Sequence, residues 1–185
     1  AGGELSHSNA THLVIDSADA PEAGRFLRWG QLDPGADEAL AGEPVCLDAA
    51  TGTPMPAGAQ SDPAILFHED SVTLADGRTV EVATSLALLR REAERKTLDA
   101  YAEDCGIPAE RIAELAREFT SYGKRAAADC HGGTMHAAGF YTAYGVVMLN
   151  ALVGNLNAIG GTTAGGGSFK AVAKGPRYDL KSFPG

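Results

Sequence analysis

The chain has 185 residues, 44% of them hydrophobic, with a formal net charge of −9 at pH 7. That length buries a real core and fits one domain, or one domain with an extension. The acidic balance argues against nucleic acid, whose phosphates require clustered Lys and Arg, and no run of eighteen apolar residues offers a membrane span.

Ala1-Gly2-Gly3-Glu4 shows neither an initiator Met nor a charged and then apolar leader, so the chain reads as a section of something larger. His12-Leu13-Val14-Ile15 is a short strand candidate, followed by an Asp-, Ala- and Gly-rich linker running through Pro34 and Gly42. Within it, Trp29 beside Arg25 and Arg28 reads as a half-buried anchor rather than a stacking site for an anion. Val45-Cys46-Leu47-Asp48 and Thr51-Gly52-Thr53-Pro54 give a strand and a reversal. Ser71 to Val82 is the clearest β signal: Val72 and Leu74 alternate with polar residues, Asp76-Gly77 supplies a tight turn, and Val80 and Val82 resume the alternation. This predicts a hairpin with one buried face.

Helices dominate from Thr84 onward. Thr84 or Ser85 caps a helix carrying Leu86, Leu89, Arg90 and Ala93, and Thr97 caps a second that stops at Gly106. Pro108 opens a third, with Ile112, Leu115, Ala116 and Phe119 on one stripe and Glu110, Glu114, Arg117 and Glu118 mostly off it as a solvated face. Arg125 to Cys130 predicts a strand. Phe140 to Val153 predicts a helix apolar on almost every face, hence buried on most sides.

Helix, strand, glycine turn and helix in that order make an α/β unit, whose ligands gather at the carboxyl end of the strand. His131-Gly132-Gly133-Thr134 falls there. Glycines let a large polar ligand approach main-chain donors, Thr134 offers a hydroxyl and His131 a ring nitrogen; the plain reading is a tight turn with a satisfied histidine. Asn150 on the apolar helix either faces a ligand or bonds neighbouring backbone, and Asn155 beside Gly154 reads as a helix stop. The Gly160 to Gly167 loop departs from G-x-G-x-x-G after a strand and is no dinucleotide fingerprint.

Other residues carry less. Cys46, Cys105 and Cys130 are odd in number and widely spaced, so they form neither a C-x-x-C knuckle nor a disulfide framework and read as small buried hydrophobes. His7, His12, His68 and His136 lack zinc-ligand spacing, Asn9-Ala10-Thr11 matches a glycosylation acceptor by a short pattern only, and no nucleophile elbow supports a hydrolase.

Cys105-Gly106-Ile107-Pro108-Ala109-Glu110-Arg111-Ile112, Leu115 to Thr120, Tyr122 to Ala127, and Leu149-Asn150-Ala151-Leu152-Val153-Gly154-Asn155 with Gly160-Gly161 form an ordered series. It resembles an internal section of the molybdopterin oxidoreductases of the dimethyl sulfoxide reductase superfamily. Ser8 to Leu13, His131 to Thr134 and Gly139 to Tyr144 are most similar to the tetrathionate reductase branch, in its catalytic subunits. The resemblance covers nearly the whole chain, most specifically residues 97 to 167.

The resemblance implies an α/β section of a multidomain enzyme, with residues 1–83 as an extended linker and β-hairpin region and 84–185 as a helix-rich part of the molybdopterin-binding region. The parent enzyme would hold molybdenum on two molybdopterin guanine dinucleotides and a 4Fe-4S cluster, and would cleave tetrathionate to two thiosulfates in anaerobic respiration. His131, Gly132, Gly133, Thr134 and Asn150 would border the dinucleotide cofactor. Two partner subunits, one carrying iron-sulfur clusters for electron transfer and one oxidising quinol in the membrane, would complete the electron path on the periplasmic or outer face of the membrane. Arsenate, thiosulfate and polysulfide reductases, a free-standing anion- or nucleotide-binding α/β module, and an interaction segment are the alternatives.

The departures limit what this section does alone. It has no run of four closely spaced cysteines, and none of Cys46, Cys105 or Cys130 has the context of the family's molybdenum ligand. The section by itself is expected to hold no cofactor, to be inactive, and to self-associate through apolar surface left uncovered around the Phe140 to Val153 helix.

Overall fold

A computed structural model of the chain describes residues 7–130 and 132–162. Five strands, β1 (Leu13–Ile15), β2 (Val45–Leu47), β3 (Pro54–Pro56), β4 (Glu69–Thr73) and β5 (Thr79–Thr84), precede most of the helical chain among the described residues. The helices are α1 (Glu38–Ala41), α2 (Ser85–Ala93), α3 (Leu98–Cys105), α4 (Ala109–Ser121) and α5 (Gly139–Leu152). The architecture is a small α/β unit with two antiparallel sheets, one in the order β1-β5-β4 and one pairing β2 with β3.

The predicted hairpin is β4–β5, with Val72 opposite Val80 and Thr73 opposite Thr79. Successive side chains on a strand face opposite sides. Val80 and Val82 are accordingly buried, whereas Thr79 and Glu81 are exposed. The Leu74 N–H donates to the Arg78 carbonyl and the Gly77 N–H to that of Leu74, closing a three-residue loop. Gly77 takes the left-handed conformation, φ +86°, that this kind of loop demands of its last residue. β1 completes the sheet by pairing Leu13 with Thr84 and Ile15 with Val82.

The core is Leu13, Ile15, Leu27, Val45, Leu47, Leu74, Val80 and Val82. Its surprise is Leu27, fully buried in the stretch expected to be a linker. Here the chain is β-like. The Leu27 N–H donates to the Leu13 carbonyl, the Val45 N–H donates to the Leu27 carbonyl, and bridges pair Val14 with Phe26 and Arg28 with Pro44. Residues 26–28 therefore join the two sheets. Trp29 packs partly buried against this core, as an anchor would.

Thr84 ends β5 and caps α2. Its hydroxyl donates to the Leu66 carbonyl at 2.8 Å and accepts from the Ala87 and His68 N–H groups, each at 3.3 Å. Thr84→Ala is expected to cost about 1–2 kcal/mol of stability, with Thr84→Ser losing clearly less; chemical denaturation of both variants checks this.

His12 sits edge-on to Phe26, with ring centroids 5.3 Å apart. Burial pushes its pKa below the ordinary 6.5; Glu43 opposes this and Arg28 adds to it. A histidine kept neutral in the fold takes up its proton more readily when unfolded, so stability is full above pH 6.5 and is lost as pH falls below it toward the lower folded value. Unfolding midpoints measured from pH 7.5 down through 6.5 should show this slope, and His12→Gln should flatten it.

Thr97 caps α3 through the Ala100 N–H, and Gly106, at φ +67°, ends it. α4 carries the predicted amphipathic stripe, yet Ile112 and Phe119 are only half-buried and Leu115 is exposed. α5 departs further from expectation. An all-apolar helix should be buried on most sides, but only Gly139 and Asn150 are buried, and Phe140, Tyr141, Tyr144, Val147 and Leu149 face outward. Nothing among the described residues covers them.

Two further expectations are corrected. Arg125 to Cys130 is no ladder strand: Gly123–Arg125 is a 3-10 turn, and residues 126–130 pair with no other strand among the described residues. Cysteine burial is also not uniform. Cys46 is buried, which raises its thiol pKa, but Cys130 is half-buried and Cys105 exposed.

Candidate functional site

The turn at Gly132–Thr134 sits against the amino-terminal end of α5. The Gly133 N–H donates to the Cys130 carbonyl at 3.0 Å, the His136 N–H to the Thr134 carbonyl at 2.9 Å, and the Gly139 N–H to the His136 carbonyl at 2.9 Å. Gly139 is glycine for packing reasons, because a Cβ there would run into the Thr134 carbonyl. At Gly132 and Gly133 the opposite holds, since a Cβ on either would meet no atom of the described residues within 4 Å. Their backbone is bare and solvent-facing, an open platform rather than a packed corner. His131, the remaining member of the motif, lies outside the described residues.

Asn150 is the polar residue that α5 buries, at 2% exposure. Its Nδ2 donates to the Ala128 carbonyl and to the Val146 carbonyl, both at 2.9 Å. Its Oδ1 accepts from the Ala128 N–H at 2.9 Å, from Asn155 Nδ2 at 2.6 Å and from the Thr162 hydroxyl at 3.3 Å. Both donor hydrogens are thereby engaged, and the acceptor is shared three ways. Of the two roles the sequence left open, the geometry displays bonding to neighbouring backbone: Asn150 holds the segment that leads into the turn.

Asn155 does more than stop a helix. Gly154 takes the left-handed conformation at φ +69°, while the fully buried Asn155 donates to the Ala126 carbonyl as well as to Asn150. The Thr162 N–H closes on the Asn155 carbonyl at 3.2 Å, and Gly161 lies so near that a side chain there would strike that same carbonyl. Two asparagines five residues apart, on either side of a glycine in an apolar setting, were the available signal. Burying two carboxamides costs too much unless each finds partners.

Among the described residues, no group of three or more His, Cys, Asp or Glu side chains is placed to hold a metal ion. The described residues also form clefts. One of 740 Å³ lies between α2 and α5 and is mainly apolar, with Leu86, Leu89, Tyr144, Met148 and Leu152 on its walls. Another, of 490 Å³, is lined by Glu22, Arg25, Phe26 and Arg28 among others. Neither includes the Gly132–Thr134 turn, which is an open surface.

No family model matches the chain. It is 44% identical over 183 residues to the A subunit of tetrathionate reductase from Salmonella typhimurium, across 99% of this chain and 17% of that protein. It is 31% identical over 187 residues to the A subunit of selenate reductase from Mesobacillus selenatarsenatis, across 97% of this chain and 17% of that protein. The A subunit of tetrathionate reductase from Archaeoglobus fulgidus is 26% identical over 162 residues, 84% of this chain and 13% of the relative. The chain thus spans about one sixth of the length of the first two relatives. The match runs through the turn, the asparagine pair and the sheets alike, and over nearly its whole length the chain is homologous to one section of the tetrathionate and selenate reductase A subunits.

Proposed function

We propose that the chain is a section of the catalytic subunit of a molybdenum-dependent oxidoreductase that reduces tetrathionate to thiosulfate in anaerobic respiration. The observation that carries this reading is the 44% identity to a tetrathionate reductase across 99% of the chain. Selenate reduction is the second reading, supported by the 31% identity to a selenate reductase. The larger identity favours the sulfur substrate.

In this reading the open platform at Gly132 and Gly133 borders a molybdopterin dinucleotide. The structural observation behind it is the vacant space where each Cβ would stand, which lets a flat polar group approach the backbone. Thr134 adds a hydroxyl at the same edge, and Asn150 fixes the incoming segment through Ala128. The bound molybdenum centre would supply the two-electron chemistry, in which one S–S bond of tetrathionate takes up two electrons and yields two thiosulfates. The protein groups here position the cofactor and leave the redox step to it. A 4Fe-4S cluster elsewhere in the same polypeptide, separate iron-sulfur and quinol-oxidising membrane subunits, and a periplasmic location belong to the same proposal.

Expressing the full-length protein in a pterin-competent host, then measuring bound molybdenum and tetrathionate-dependent oxidation of a reduced viologen, tests this. Molybdenum with tetrathionate turnover supports it. A folded full-length protein without molybdenum overturns it, and turnover with selenate but not tetrathionate transfers it to the second reading.

A further inference from the structure

We infer that residues 126–129 present an open β-edge that is completed by an extended strand from elsewhere in the full-length polypeptide. It follows from the direction of the backbone groups. In an extended chain the N–H and C=O of one residue point to the same side, and those of the next residue point to the other. Ala128 gives both groups to the single carboxamide of Asn150, and Ala126, with φ −96° and ψ +141°, gives its carbonyl to Asn155. Two asparagine side chains thus stand in for a neighbouring strand along one edge. Across the planar trans peptides the N–H and C=O of Ala127 and the N–H of Asp129 point the other way, and the backbone groups of both residues find no hydrogen-bond partner among the described residues. Both residues are exposed.

A row of unpaired donors and acceptors is a template for strand addition. The segment is held in shape already, so the incoming strand need not pay to order it. The occupant follows from size. Two residues offer four backbone groups, too few to hold two separate copies together, whereas a strand from the same polypeptide arrives without the cost of association. The relatives supply such a chain, since the matched section is only 17% of their length. The outward-facing apolar residues of α5 call for cover from the same source. This inference rests on the reading of the chain as part of a longer reductase polypeptide, but not on its metal or substrate.

Residue-resolved amide hydrogen exchange on the 185-residue chain and on the full-length protein tests it. The Ala128 amide should be protected in both. The Ala127 and Asp129 amides should exchange freely in the 185-residue chain and slow by about 100-fold or more in the full-length protein. Equal, fast exchange of those two amides in both proteins would overturn the inference. Protection that appears in the 185-residue chain and rises with its concentration would also overturn it, by making a second copy the occupant. As a second check, Ala127→Pro removes an N–H without a partner here and follows a residue already extended, as proline requires. It should leave the unfolding midpoint of the 185-residue chain unchanged while making the full-length protein protease-sensitive at this segment; equal resistance of the two full-length forms would count against the pairing. Slow exchange at Ala127 and Asp129 in a full-length protein that lacks molybdenum would support the strand while overturning the functional reading alone.

Discussion

Asn150→Ala is expected to lower the unfolding free energy of the chain by about 2–4 kcal/mol, well beyond the effect of removing one exposed hydrogen bond. The size follows from what is left behind. The Ala128 N–H and C=O lose their carboxamide, Asn155 Nδ2 loses one acceptor, and the site is too buried for water to replace them freely. Asn150→Asp is the informative companion. A carboxylate still accepts from the Ala128 N–H, but it cannot donate, and it would set negative oxygen against the Ala128 and Val146 carbonyls. Asp should therefore be no better than Ala despite its matching shape. Urea denaturation of the three proteins at one pH, compared by midpoint and slope, decides the matter; a loss below about 1 kcal/mol for Asn150→Ala would mean the clamp contributes little.

Gly139→Ala is the second large effect, and it acts on the turn. The new methyl would collide with the Thr134 carbonyl, which is backbone and cannot rotate away as a side chain would. Either the first turn of α5 unwinds or Gly132–Thr134 is displaced, at about 1–3 kcal/mol for an overpacked site. If the platform borders the cofactor as proposed, the functional cost in the full-length protein should exceed the stability cost, because a displaced platform would no longer meet it. Cofactor retention is expected to fall at least about tenfold, the equivalent of about 1.4 kcal/mol. Gly132→Ala, where a Cβ meets no atom of the described residues within 4 Å, separates the two effects. It should preserve the fold, and any loss of cofactor it causes reports contact with the ligand. Thermal unfolding and molybdenum content measured together on both variants check this pair.

The hairpin was legible because period-two alternation, a glycine in its turn and a buried face all lie within Ser71 to Val82, and local signals need no distant partner. The caps at Thr84 and Thr97 and the stop at Gly106 were legible for the same reason: each is a local satisfaction of helix-end groups. Residues 26–28 were not, because their strand character comes from Leu13 on one side and Val45 on the other, and the surrounding composition argues for a loop. Arg125 to Cys130 failed in the opposite sense. Its composition fits a strand, but a strand is defined by a neighbour, and here its neighbours on one side are asparagine side chains.

Part of the local geometry around the candidate site was legible, whereas its role toward a cofactor belongs to the proposal. The glycine turn and the long helix stand next to one another, as an α/β reading requires, and Gly132 and Gly133 leave open space. Asn150 is legible as unusual on an apolar helix, but Ala128, which it clamps through both backbone groups, lies 22 residues back in the chain. The tertiary contacts of Asn155 are hidden in the sequence, because a residue after glycine at a helix end has an ordinary local explanation. The outward apolar face of α5 was not legible, because hydrophobicity announces an apolar surface without naming a neighbour, and the described residues supply none.

In the proposed function, the Gly132–Gly133 platform is one wall of a dinucleotide cofactor site. This role is tested most directly by substituting Gly133→Val in the full-length protein and measuring molybdenum and released pterin against the parent, with circular dichroism to verify folding. The added side chain meets no atom of the described residues within 4 Å at its Cβ, so the fold should survive while cofactor content falls sharply. A folded Gly133→Val protein with the parent's full complement of molybdenum and pterin would contradict the claim and reduce the turn to a structural corner.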